Sequence, residues 1–475
     1  MSISVTKRSE DYARWYTDIV QKAELADYGP VKGTMVIRPY GYALWENIRN
    51  IADRMFKETG HVNAYFPMFI PESFMHKEAE HVEGFAPECA VVTHGGGKKL
   101  DEPLYIRPTS ETIIWSMYKK WIKSYRDLPL LINQWANVVR WELRTRLFLR
   151  TTEFLWQEGH TAHATFAEAE EETRRIIEIY RILAEDYLAM PVYVGKKTDA
   201  EKFAGAVHTY SIEAMMGDKK ALQSGTSHNL GQNFAKAFDV TFLNSENKQE
   251  YVYATSWGVS TRLVGGVIMT HGDDKGLILP PRIAPYQLVI VPIWRSDDQK
   301  ARIMEEVAKI KLQFSKADIR FVVDDNEQVS AGWKFNQWEM KGVPLRLEIG
   351  PKDIEKQQVV LARRDNGKKQ FVAFESLFSV VNQLLEDIQS SIFRQARDFR
   401  DENTIEVENY SDFKKIIEAG GFVKAFWAGD GVAEARIQEE TKATIRCIPF
   451  EQNRKGKCFF TGGAADTWVI FGKSY

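Results

Sequence analysis

The sequence is poor in cysteine: Cys89, Cys447 and Cys458 are all that 475 residues hold. Three scattered thiols cannot make a disulfide framework, which points to a reducing compartment and a cytoplasmic protein. No apolar run approaches the ~20 residues of a membrane span, so no membrane partner is expected. The first residues, Met1 to Tyr12, are polar and lack the apolar core of a signal peptide. Neither sign of charge is in excess: 63 Lys and Arg face 65 Asp and Glu, for a net charge of −2. Bulk charge therefore does not announce a nucleic-acid binder, although acidic helices can mask a basic face on one domain. There is no internal repeat, no low-complexity tract, and no histidine after His271.

What is present has the organisation of several domains, and the length allows about two to four. Between Tyr42 and Thr59, Leu44, Ile48, Ile51, Ala52, Met55 and Phe56 recur at helical spacing, and Gly60 supplies a stop. Residues 61–70 read as extended. Pro67 inside them has no amide donor, so it belongs on an edge or at an interface. Strands are expected at 104–108, 137–142, 154–157 and 251–257, with helices at 111–125 and 167–188. That irregular alternation predicts a mixed, largely antiparallel sheet. After Pro280-Pro281 and Pro285 the pattern changes. Strands at 287–293, 319–324, 345–349 and 359–363 alternate with helices at 297–314, 329–341 and near 374–390, as in a compact α/β domain of about 100 residues. A charged helix end, Arg394 to Glu402, leads into a third segment. The expected divisions are 1–283, 284–390 and 391–475.

The chemistry is concentrated in Arg140-Trp-Glu142, a loop, and Arg150-Thr-Thr-Glu-Phe154. On an extended strand Arg140 and Glu142 would project from one face. A guanidinium can grip a phosphate or a carboxylate with forked hydrogen bonds. A carboxylate can accept from an adenine amino group, and Phe154 offers a flat face for a base. The bland alternative is a surface hairpin with an ordinary salt bridge, which the returning arginine and phenylalanine make the weaker reading.

That spacing resembles motif 2 of the class II aminoacyl-tRNA synthetases. The helix at 44–59 followed by Tyr65-Phe-Pro67 resembles motif 1, whose proline sits at a dimer interface. Ser256-Trp-Gly-Val-Ser260-Thr-Arg262 resembles motif 3. Arg107-Pro-Thr109-Ser-Glu111, Trp156-Gln-Glu-Gly-His160, Lys202-Phe203-Ala-Gly and Gln223-Ser-Gly-Thr226-Ser-His228 resemble, in this order, the prolyl-tRNA synthetases of archaeal and eukaryotic type, which some bacteria also carry. The resemblance covers essentially the whole chain. It implies a mixed α/β protein: an α+β catalytic domain on an antiparallel sheet, an α/β anticodon-binding domain and a small α/β C-terminal domain.

It also implies roles. Thr109 and Glu111 would hold the proline ammonium, although a capping box opening the helix at 111 is an alternative for the pair. Arg140 would bridge the proline carboxylate and the α-phosphate of ATP. Glu142, Arg150, Thr151 and Phe154 would contact ATP, Gln223 and Thr226 would lie near the phosphates and Mg²⁺, and Ser260 and Arg262 would close the nucleotide site. Trp156, His160, Phe203 and His228 would wall the proline pocket. Taken singly, each aromatic is more often core and each histidine structural. Gly332-Trp-Lys334, Arg346, Glu348, Lys352 and Arg363-Arg364 resemble the anticodon-binding part. The implied partners are ATP, L-proline, tRNA(Pro) and a second copy of the chain.

Three departures stand out. The C-terminal zinc ligands common in the family correspond to Ala428, Ala433, Cys458 and Phe460; one thiolate cannot make a tetrahedral site, so no zinc is expected. The loop 143–149 is one residue shorter than usual, and the span between motifs 2 and 3 has no room for an editing domain. The rival readings are a non-catalytic relative and an enzyme that adenylates amino acids for a carrier protein. Arg140, Arg150 and Arg262 argue against the first, the anticodon-type domain against the second.

Overall fold

Most of the chain gathers on one sheet in the computed structural model, which describes residues 4–75, 89–142 and 144–475. Its eleven strands run, edge to edge, Thr404–Val407, Phe422–Trp427, Thr467–Gly472, Thr444–Pro449, Val192–Lys196, His208–Met215, Ala221–Gly231, Tyr253–Ser260, Glu153–His163, Leu130–Val139 and Val62–Asn63. Neighbours are antiparallel except at the two edges, where Val62–Asn63 and Thr404–Val407 pair in parallel. The sheet is thus mixed and mostly antiparallel, as the irregular order of elements predicts.

Two helices bury one face of the catalytic part. The helix Phe166–Ile182 is opened by a Thr165/Glu168 capping box and buries Ala169, Ile176, Ile177 and Tyr180. The helix Pro39–Glu58 starts five residues before the expected Leu44, because proline suits a first helical position. It buries Leu44, Trp45, Ile48, Ala52 and Phe56. Full burial of each leucine, isoleucine or phenylalanine among these stabilises the fold by about 1.5–3 kcal/mol. The helix Glu111–Trp121 stops short of the expected 125, and the chain turns through a short Ser124-capped 3-10 segment. No helix among the described residues is long and apolar enough to cross a membrane.

The second unit is a five-stranded sheet in the order Phe321–Val323, Leu288–Pro292, Leu345–Ile349, Gln358–Arg363, Lys369–Ala373. Its first three strands are parallel, with Asp297–Lys316 and Ala331–Met340 as crossover helices. The helix Leu377–Glu402 then runs unbroken from this unit into the C-terminal lobe. In that lobe Phe413, Trp427, Cys458, Phe459 and Phe471 share one core, and Phe460 packs against it. The lobe joins the catalytic sheet where Ile448 and Pro449 pair with Lys196 and Gly195. A Cβ on Gly195 would lie 2.3 Å from the Ile448 carbonyl oxygen, so only glycine permits the join.

Candidate active site

A cavity of about 430 Å³ opens on the sheet between the strands Glu153–His163 and Ala221–Gly231. Strand geometry explains who faces it. On Glu153–His163, alternate side chains Phe154, Trp156, Glu158 and His160 all line the cavity. On Ala221–Gly231, Gln223 and Thr226 differ in parity and should face opposite ways. A bulge resolves this: Ile212 pairs with Gly225 and Glu213 with Gln223, leaving Ser224 extra. Gln223, Thr226 and His228 therefore line the same cavity, joined by Ser260 from the next strand and by Arg262 at the first turn of the helix Arg262–His271. Thr109, Glu111, Arg140, Glu142, Arg150, Thr151 and Phe203 complete the wall. Every candidate side chain except Pro67 is brought into this one space.

Local geometry departs from the sequence expectation in two places. The strand Leu130–Val139 ends before Arg140, so Arg140 and Glu142 do not share a strand face. The chain turns there because Arg140 N–H donates to the Thr152 carbonyl at 2.8 Å and its Nε to the Pro108 carbonyl at 2.9 Å. Nor do Thr109 and Glu111 form a capping box. Ser110 is the N-cap and makes no side-chain cap bond, while the Thr109 hydroxyl donates directly to the Glu111 carboxylate. The loop expected to be short begins with Leu143, which lies outside the described residues; its remainder is closed by a bridge between Arg146 and Arg150.

Electrostatics make the cavity two-ended. At one end stand three arginines. The Arg140 guanidinium lies 5.3 Å from the Trp156 ring and 5.6 Å from the Phe154 ring, and it keeps access to solvent through the mouth. Arg150 pairs loosely with Glu142 at 3.6 Å. Burial, then the charges of Arg140 and Arg150, push Arg262 below its ordinary pKa. Cations that repel one another in a shared cleft suit a polyanion. At the other end the carboxylates of Glu111 and Glu158 are buried, and the rings of Phe203 and His228 lie 4.8 Å apart. Burial, then the neighbouring His160, push His228 down to about 3, so that it is neutral.

Glu158 was not singled out from the sequence. It accepts from the Ser110 amide at 3.2 Å, the Ser110 hydroxyl, Gln134 Nε2 at 2.9 Å and His160 Nε2 at 3.1 Å. Burial raises its pKa, but His160, Ser110 and Gln134 outweigh burial and hold it below the usual carboxylate range. The available signal was its place midway between Trp156 and His160, at the two-residue spacing of a strand face. Glu111, Glu158 and His160 also offer ligand atoms within 4.8 Å of one another. Both Glu158 oxygens and His160 Nε2 are already hydrogen-bonded, so these groups form a bonded acid–imidazole array.

Pro67 lies outside the cavity, on a surface with exposed Val62, Tyr65 and Phe69. Its neighbour Phe66 is clamped by its backbone: its N–H donates to Gln134 Oε1 at 2.5 Å, and its carbonyl accepts from buried Arg107 at 2.7 Å. In the five-stranded unit many of the charges read from sequence are already paired: Arg346 with Glu348, Arg363 with Asp365, and Arg364 with Asp273.

Comparison with known proteins agrees with this architecture. Residues 93–271 match the tRNA synthetase class II core domain (G, H, P, S and T), residues 287–384 an anticodon binding domain, and residues 410–475 the prolyl-tRNA synthetase C-terminal domain. Similar curated proteins include the proline–tRNA ligase of Chlorobium chlorochromatii, 60% identical, and those of Chlorobium luteolum and Chloroherpeton thalassium, each 58% identical. All three align over 100% of both chains. With a three-arginine cleft on a class II core and full-length likeness to proline–tRNA ligases, the chain belongs to the prolyl-tRNA synthetase family.

Proposed function

We propose that the chain activates L-proline with ATP, forming prolyl-adenylate and pyrophosphate, and transfers proline to the 3′ end of tRNA(Pro). The observation that carries this is the single cleft with three arginines at one end and two buried carboxylates at the other. A zwitterion and a triphosphate fit such a charge distribution together. Glu111 and Thr109 hold the secondary ammonium, while Trp156, Phe203, His160 and His228 enclose the ring. Arg140 stands between the halves, where it grips both the proline carboxylate and the α-phosphate. The carboxylate oxygen attacks that phosphorus in line and pyrophosphate departs. The protein forms no bond of its own, so rate comes from positioning and from charge neutralisation by Arg140 and Arg262. Glu142, Arg150, Thr151, Phe154 and Ser260 hold the nucleotide.

The Gln223 amide and the Thr226 hydroxyl are hard oxygen donors of the kind Mg²⁺ takes. Bound there with the phosphates, Mg²⁺ would neutralise charge on the leaving pyrophosphate. The units 1–283, 284–390 and 391–475 act as catalytic, anticodon-binding and C-terminal domains, with one helix shared by the last two. The exposed surface around Pro67, with Val62, Tyr65 and Phe69, suits a homodimer contact. The C-terminal lobe needs no zinc, because three of the four ligand positions are Ala428, Ala433 and Phe460. The setting is the cytoplasm. Between the strands Glu153–His163 and Tyr253–Ser260 every residue is described, and none forms an inserted domain. Mischarged tRNA would therefore have to be cleared elsewhere.

Proline-dependent exchange of pyrophosphate into ATP, followed by transfer of labelled proline to tRNA(Pro), tests the proposal. Exchange without transfer would leave a carrier-type adenylating enzyme. Neither activity would leave a non-catalytic relative.

A further inference from the structure

His160 carries an unresolved polar atom. Its ring lines the cavity and is only 1% exposed. Nε2 lies 3.1 Å from Glu158 Oε2, yet Nδ1 has no hydrogen-bond partner among the described residues. Buried polar atoms are seldom left unpaired without a reason. Glu158 settles the other nitrogen. A carboxylate has about four acceptor sites, and Glu158 fills them with Ser110 N–H, Ser110 O–H, Gln134 Nε2 and His160. Four donors leave Glu158 ionised and require a proton on His160 Nε2. Nδ1 alone is undecided: it bears a proton in the imidazolium and a lone pair in the neutral ring.

We infer that Glu158 is a positioning residue that fixes His160 as the Nε2–H tautomer when proline is bound, so that Nδ1 accepts a hydrogen bond from the proline ammonium and one proton leaves the pocket. This rests on the proposed placement of the ammonium beside Glu111. A secondary ammonium has two N–H donors; the Glu111 carboxylate, which the Thr109 hydroxyl orients by donating to it, satisfies one of them. Nδ1 of the neutral ring is an acceptor of the right kind for the other. In the empty pocket the balance is different. Burial pushes the imidazole down, but the hydrogen bond to Glu158 and the charges of Glu111 and Glu158 outweigh it, and the net direction is up. The empty site therefore holds a proton on the ring more readily than water does, and the incoming cation replaces that charge.

Among the described residues the groups facing His160 are few. Glu158 shares its strand. Glu111 and Tyr118 come from the helix Glu111–Trp121, the Tyr118 hydroxyl donating to the His160 carbonyl at 2.7 Å. Arg140 stands at the end of Leu130–Val139, near enough to Glu111 and Glu158 to feel both, with Cys89 beside it. His228, from Ala221–Gly231, is neutral.

By linkage, the proline affinity rises with pH by up to tenfold per unit between the bound and free pKa values of His160, and is flat above the free value. Proline keeps its own ammonium proton throughout. The experiment mixes the full-length enzyme with saturating proline in weakly buffered solution containing a pH indicator, from pH 6 to 8. In parallel, KM for proline and for ATP is measured in pyrophosphate exchange. The expected result is release of up to one proton per site, with KM for proline falling as pH rises and KM for ATP unchanged. His160→Gln should abolish the release. Glu158→Gln should suppress it near pH 7 and flatten the KM profile, because the neutral amide no longer stabilises the imidazolium. Normal binding with no proton release in the wild type, or equal release from His160→Gln, overturns the inference. If Glu111→Gln and His160→Gln both leave KM for proline unchanged, the placement of proline is itself wrong, and the inference falls with it.

Discussion

Between Leu130–Val139 and Ala221–Gly231 the long sheet buries Gln134, Gln157, Glu158, His160, Thr161 and Asn229, each nearly closed to solvent. Between Phe422–Trp427 and Thr467–Gly472 the same sheet buries rings: Phe413 and Phe459 at 4.8 Å, Phe413 and Phe471 at 5.0 Å. The two regions meet in a single hydrogen-bonded register but are stabilised by different physics. Buried polar groups contribute little net stability and are expensive to leave unpaired. Packed rings contribute transfer free energy and dispersion without any demand for charge. A region can therefore be tuned for chemistry where its neighbour carries the fold, and substitutions should separate along that line.

The largest effect should come from Arg140→Ala. Losing a cation that acts on the α-phosphate should lower proline-dependent pyrophosphate exchange by about 10²–10³-fold or more. The melting temperature should barely move, because Arg140 lies at the solvent-accessible mouth and not in the core. Near-normal exchange in that variant would remove Arg140 from the mechanism. The mirror experiment is Phe459→Ala, which should cost about 3–5 kcal/mol in denaturant unfolding and leave both KM values unchanged while the protein stays folded. Metal analysis belongs with it. If these rings fill the place that zinc ligands occupy in relatives, purified protein holds no stoichiometric zinc and chelators leave its melting temperature alone. About one zinc per chain would contradict that picture.

The contrast also explains what the sequence made legible. In the five-stranded unit the strands at 287–293, 345–349 and 359–363 were legible to within two residues: Ser296 caps the helix Asp297–Lys316, and Leu345–Ile349 begins and ends where its apolar alternation does. The strand Lys369–Ala373 was not legible, and the helix expected near 374–390 runs on to Glu402. The strand Glu153–His163 was legible only at 154–157, since Glu158, His160, Thr161 and His163 are buried polar residues that erase the alternation. His208–Met215 and Ala221–Gly231 were not legible as strands, for the same reason and because of the bulge at Ser224. The cavity residues were recognisable through motif order, yet Glu158 was hidden inside a motif. Pairing between Val192–Lys196 and Thr444–Pro449 leaves no local trace, because about 250 residues separate the partners in sequence.

That join supplies the next test. Glu213, fully buried, receives Lys197 Nζ at 2.6 Å and the Arg446 guanidinium at 3.0 Å. Burial raises the Glu213 pKa, but these two cations outweigh it. Arg446→Met should destabilise by about 3 kcal/mol, since a buried carboxylate then keeps one cation of two. Unlike Phe459→Ala, it should also disturb the site, because Lys197 lines the cavity and Glu213 offsets the repulsion on Arg262. Loss of stability with unchanged kinetics would show that the join is purely structural.

The smallest effect is a pH slope confined to the catalytic region. Burial pushes His163 and His271 down to about 4. His271 Nε2 donates to the Leu188 carbonyl at 2.9 Å, as a neutral ring can. Above the unfolded value of about 6.5 both states are neutral and the full stability is present. As pH falls from there toward 4, the unfolded chain takes up protons that the folded chain refuses, so stability is lost, by about 1.4 kcal/mol per unit for each histidine. His160, held in the opposite direction, contributes with the opposite sign. The C-terminal lobe has no histidine after His271 to add to the slope. In His271→Gln the amide can still donate to Leu188 but does not titrate. Its unfolding free energy, measured in urea from pH 4.5 to 6, should vary less steeply than the wild type by about 1.4 kcal/mol per unit. An unchanged slope would mean that His271 gains its proton without unfolding, and that the polar region tolerates charge better than its burial implies.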